Sequence, residues 1–140
     1  MTVKEWLYRP ENLNRKIDAA QIAAEEAYYG CIGTTPSYSG DIVSGTKNPH
    51  AKYDRYIEAR DNVNVLIDKL IDTKREMRVV IGGIKDERCR ALLNCKFVDC
   101  KPWNVVAMAC KCSISHAKHD LLEKSTQYLV EALDNTHNIW

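Results

Sequence analysis

A chain of 140 residues holds one ordinary domain or two small helical units, and it can bury a workable core without covalent staples. Hydrophobic residues at 45% and charged residues at 28% are ordinary soluble proportions, which argues against wholesale disorder. A net charge of +1 gives no global electrostatic case for nucleic acid, whose binders usually carry a basic face. Helix formers dominate outside one segment, so an all-α fold is expected. No apolar run approaches the roughly 20 residues that cross a bilayer, and MTVKEWLYRP lacks the apolar stretch of a signal peptide. The expectation is a cytoplasmic protein with no membrane partner, and its six cysteines then read as reduced thiols.

In chain order, Thr2 and Glu5 have capping-box spacing, and Pro10 sits where a break or restart is expected. Leu13, Ile17, Ala20, Ala24 and Ala27 then follow at spacings of four and three, which predicts an amphipathic helix ending near Gly30. Residues 30–48 concentrate Gly, Ser, Thr and Pro without helical period and predict a long polar loop. Asn48-Pro49 reads as N-cap and first helical residue of the next element.

From there the strongest periodicity in the chain runs through Tyr56, Ala59, Val63, Leu66, Leu70, Thr73, Met77, Val80 and Ile84, a heptad seam. Ile67 and Ile71 widen it beyond what one partner helix needs. Residues 1–84 therefore read as a coiled-coil-like helical hairpin, with Tyr56, Val63, Leu66, Leu70 and Met77 as candidate self-association residues of a homodimer. Gly82-Gly83 ends the long helix, and Asp86 caps a third, whose apolar face is Cys89, Leu92, Leu93 and Phe97. Pro102 opens a short fourth helix, WNVVAMA, and Ser113 caps a fifth, so residues 85–140 form a second, three-helix unit containing a helix-turn-helix.

The stretch RALLNCKFVDCKPWNVVAMACKCSISHAKHDLLEKSTQYL resembles the C-terminal module of phage late-gene transcription regulators of the RinA/ArpU type, with a sigma-factor region-4-like helix-turn-helix. Leu92, Leu93 and Phe97 stand for its first apolar helix; Lys101, Trp103 and Val106-Ala107 for the short helix; Ser113-Ile114 for the capped recognition helix. The resemblance implies a promoter- or operator-binding protein with double-stranded DNA as its partner and no cofactor. Its candidate DNA-binding residues are Ser113, Ser115, His116, Lys118 and His119, with Lys101 and Lys111 beside them. Ile114, Ala117 and Leu121 should pack inward.

Two departures stand out. The turn reads Cys110-Lys111-Cys112 where relatives carry Gly, so Lys111 must adopt a left-handed conformation. No arginine, the commonest reader of guanine, occurs after Arg90. Seven basic and seven acidic residues balance over positions 86–140, which favours a second reading: a phage accessory protein that uses this fold to bind a host protein such as RNA polymerase or a defence nuclease.

Other readings are weaker on their residues. Cys89, Cys95, Cys100, Cys110 and Cys112 with His116 and His119 are zinc-ligand types, but no Cys-x-x-Cys occurs, and buried reduced thiols are expected without metal. No acid, oxyanion-hole or glycine-loop signature accompanies a cysteine–histidine pair, so no enzyme is expected. Trp103 suits the core one turn before Val106-Ala107, and His50 and His137 read as bystanders.

Overall fold

The computed structural model describes residues 1–32 and 49–135, and these are all-α, with no strand among them. In order they form α1 (Val3–Leu7), α2 (Arg9–Ile32), α3 (Pro49–Gly82), α4 (Glu87–Leu93) with a π turn at Asn94–Val98, and α5 (Trp103–Cys110). They close with α6 (Ile114–His116), a second π turn at Ala117–Leu121, and α7 (Leu122–Asn135). No helix is long and apolar enough to cross a membrane among the described residues. The polar loop expected over 30–48 lies outside the described residues from position 33 onward, as do the Asn48 cap, His137 and Trp140.

Local chemistry sets most of the helix starts. Thr2 accepts from the Glu5 amide at 3.1 Å while the Glu5 carboxylate accepts from the Thr2 amide at 2.7 Å, a reciprocal capping box. The second helix differs from its expected ends. It begins at Arg9, with Pro10 inside the first turn where a missing N–H costs nothing, and it continues through Gly30 to Ile32. A glycine ends a helix when its φ turns positive; Gly30 keeps helical geometry, and a Cβ added there would meet no neighbouring element within 4 Å.

The chain divides into two compact units: Met1–Asn12 together with the chain from Leu70, and Leu13–Lys69. This differs from a boundary at 84/85, because α3 from Leu70 to Gly82 and all of α1 belong with the C-terminal helices. One hydrophobic cluster joins Trp6 and Leu7 of α1, Met77 and Ile81 of α3, Ile84 after it, Leu92, Leu93, Phe97 and Val98, then Val106, Ala107, Cys110, Ala117, Leu121, Leu129 and Leu133. Tyr8 meets Phe97 edge-on at 5.5 Å, and the Arg9 guanidinium covers the Trp6 ring at 5.2 Å.

That cluster corrects the reading of Met77 as a self-association residue. Met77 is 0% exposed in its own chain's core, so it has no surface to offer a second copy. Val63 is also buried, whereas Tyr56, Leu66 and Leu70 are half-buried. Every seam position from Tyr56 to Ile84 is at least half-buried and Ile71 stands 49% exposed, so the period marks the face correctly without naming what covers it. In the other unit, Leu13, Ile17, Ala20 and Val63 are buried, and the rings of Tyr28 and Tyr56 lie 5.5 Å apart.

Asp86 caps α4 as expected, accepting from the Cys89 amide at 3.1 Å, and Lys124 of α7 reaches its other oxygen at 3.0 Å. The Cys89 amide first, and then Lys124, hold the Asp86 carboxyl below its ordinary 3.8. A carboxyl depressed by folding stabilises fully above its unfolded pKa, and that stabilisation is lost as pH falls through the folded value. Unfolding titrations between roughly pH 6 and pH 2 should therefore lose less stability in Asp86→Asn, which keeps a capping oxygen without the charge. An identical acid limb in both proteins would remove Asp86 from the account.

Candidate nucleic-acid interface

Three helical segments, α4 with its π turn, α5, and the rod running 114–135, pack on one another in unit 1. The first π turn carries an Asp99 amide to Asn94 carbonyl bond of 2.9 Å, and Cys100 beyond it takes φ 55°. Sequence gave no signal for this left-handed residue. Pro102 then sits at the N-cap of α5, with its absent N–H at a position that needs none.

α5 ends as its sequence requires. Lys111 lies at φ 57°, ψ 47°; its amide donates to the Met108 carbonyl at 3.2 Å and the Cys112 amide donates to the Ala107 carbonyl at 3.1 Å. These two bonds form a Schellman motif with lysine where glycine is favoured. Lys111→Gly should raise unfolding free energy by about 1 kcal/mol, since the Cβ strain disappears. Denaturant titration checks it, and unchanged or lower stability would mean that the lysine makes compensating contacts.

Ser113, at φ −75° and ψ 158°, accepts from the His116 amide at 3.1 Å and so caps the following helix. Ser115, Lys118 and His119 are exposed on its first turns, and Lys101 and Lys111 are exposed beside them in sequence order. His116 is half-buried, with Nδ1 3.4 Å from the Asp120 carboxylate. A shallow groove of about 480 Å³ runs along Lys118, His119, Leu122, Glu123, Thr126 and Gln127.

Ala117 and Leu121 point inward as expected, but Ile114 does not; it is 44% exposed. The buried row is Ala117, Leu121, Ser125, Leu129 and Leu133, at a uniform spacing of four. The π turn over Ala117–Leu121, with wider i→i+5 bonding, keeps those two residues in line, while Ile114 stands apart at the first position of the helix. Ser125 is fully buried and donates to the Leu121 carbonyl at 2.7 Å, so its hydroxyl is satisfied.

The electrostatics select among the basic residues. Arg90 donates to the carbonyls of Ile84 and Lys85, at 2.6 and 3.2 Å. Lys96 stands over the Trp103 ring at 5.1 Å, and Lys124 is held by Asp86. Arg88, Lys101, Lys111 and Lys118 are exposed and make no ion pair among the described residues. Arg88 was not among the sequence candidates; packing of α5 on α4 brings it to the turn, with its carbonyl 3.7 Å from the Cys110 sulfur.

Of the self-association candidates, Tyr56 lines a separate cleft of about 530 Å³ in the other unit, with Tyr28, Tyr29, Glu25 and Arg60. None of the six cysteines forms a disulfide, and no three His, Cys, Asp or Glu side chains converge in metal-binding geometry among the described residues. Burial first, and then the neighbouring Cys112 thiol, push Cys110 up to about 11, so it is an inert thiol at neutral pH. No family model, curated protein or solved structure matches the chain.

Proposed function

We propose that this protein is a phage-type transcription regulator that binds promoter or operator DNA through the helix beginning at Ile114, as a dimer associating through α3. The observation that carries the reading is the Ser113-capped helix. It follows a tight Schellman turn and presents Ser115, Lys118 and His119 from its first turns, the part that enters a major groove in such motifs. Lys101, Lys111 and Arg88 supply cations for phosphate on the flanks. Tyr56, Leu66 and Leu70, half-buried on α3, remain the seam available to a second copy.

Lys118→Ala tests the reading on DNA selected from a random library by the wild-type protein. Affinity should fall roughly uniformly across sequences, with the salt slope flattened by about one unit, as loss of one phosphate contact requires. Sedimentation of the complex should give two chains per duplex. An unchanged slope would remove Lys118 from the interface.

A second reading is favoured by the acidity of the same helix. Positions 113–135 hold two lysines against four acidic residues, and Asp120 is 78% exposed at its side chain. Phosphate repels such a surface. In that reading the fold binds a host protein, such as RNA polymerase or a defence nuclease, in place of DNA.

A further inference from the structure

The outward side of α5 carries apolar groups that the core does not use. Val106, Ala107 and Cys110 point into the cluster, so Val105 and Met108, three residues apart, share the opposite face. Val105 is 38% exposed and Met108 78%, the most exposed of the large hydrophobic side chains among the described residues. The Schellman turn then brings Ile114, 44% exposed, back to the end of this helix.

Three cations stand on the segments that carry these side chains. Lys101 lies two residues before α5, Lys111 occupies the turn, and Lys118 follows Ile114 by four residues. None has an ion pair among the described residues, while Arg78, Arg90, Lys96 and Lys124 of the same unit are all engaged. Duplex DNA would use the lysines but offers little to an exposed thioether. An apolar centre with a cationic rim complements an amphipathic helix whose polar flanks are acidic, and an unbranched methionine adapts its shape to such a partner.

We propose that this face, centred on Met108 and rimmed by Lys101, Lys111 and Lys118, binds an acidic amphipathic helix of a partner protein. The inference goes beyond DNA reading and does not depend on it.

Fluorescence anisotropy of the full chain with a synthetic peptide of about 16 residues, long enough to form helix, tests the proposal. Leu occupies its i, i+3, i+4 and i+7 positions and Glu its flanks; a control peptide carries Lys in place of Glu. The acidic peptide should bind in the micromolar range, roughly, and weaken with salt, and the lysine peptide should not bind. Met108→Ser should weaken the acidic peptide about ten-fold or more, Met108→Leu should keep it, and DNA affinity should be the same in both variants as in wild type. Equal binding of the two peptides, no binding of the acidic one, or an unchanged affinity in Met108→Ser would overturn it. Peptide binding by a protein that binds no DNA would overturn the DNA reading alone.

Discussion

Lys118→Glu combined with His119→Glu is expected to lower affinity for selected DNA by at least about a hundred-fold at physiological salt. Both side chains are exposed on the first turns of the capped helix, and neither belongs to the hydrophobic cluster. The change removes one cation and places two anions where phosphate would lie. Lys118 makes no ion pair among the described residues, so its removal orphans no partner. Helicity by circular dichroism and sedimentation of the free protein should match wild type, which separates loss of binding from loss of fold. A double variant that holds its DNA as tightly as wild type would take the central residues from the DNA reading and leave the host-protein reading in its place.

Met77→Ala should cost about 2–5 kcal/mol in unfolding free energy, the ordinary cost of emptying a fully buried methionine site. Met77 is 0% exposed and shares its cluster with Ile81 one turn on and with Trp6 and Leu7, some seventy residues earlier, which cannot easily collapse into the space. Leu66→Ala, at a half-buried position, should cost less. The pair of variants distinguishes a core from a subunit seam. A Met77→Ala protein of wild-type stability that sediments differently would restore that residue to the seam.

Features set by contacts a few residues apart were legible before any coordinates. The caps at Thr2, Asp86 and Ser113 and the left-handed Lys111 each follow from a hydrogen bond or steric rule spanning at most five residues, and each is found. The heptad positions of α3 were legible as a protected face, but a period does not say whether the same chain or another covers it. For Met77, the answer depended on α1, some seventy residues earlier. Ile114 was misplaced for a related reason: helical spacing sets it near the face of Ala117, but it stands at the first helical position, and a period does not say how far the covering elements reach. Arg88 escaped notice because its place beside the turn arises only from the packing of α5 on α4. Met108 lies in the apolar run WNVVAMA, whose composition does not say which of its side chains stay exposed.

The pairing of α1 with the C-terminal helices sets an order of events on the ribosome. Trp6 and Leu7 are made more than 120 residues before Leu129 and Leu133, the last leucines of their cluster. At about 5–20 residues per second, the gap is on the order of ten seconds. Until then the nascent chain carries a tryptophan and a leucine whose burial site is incomplete, whereas residues 13–69 belong to a unit of their own. A chain that stops short of Ala117 therefore lacks the leucines that complete the cluster around Trp6 and Leu7.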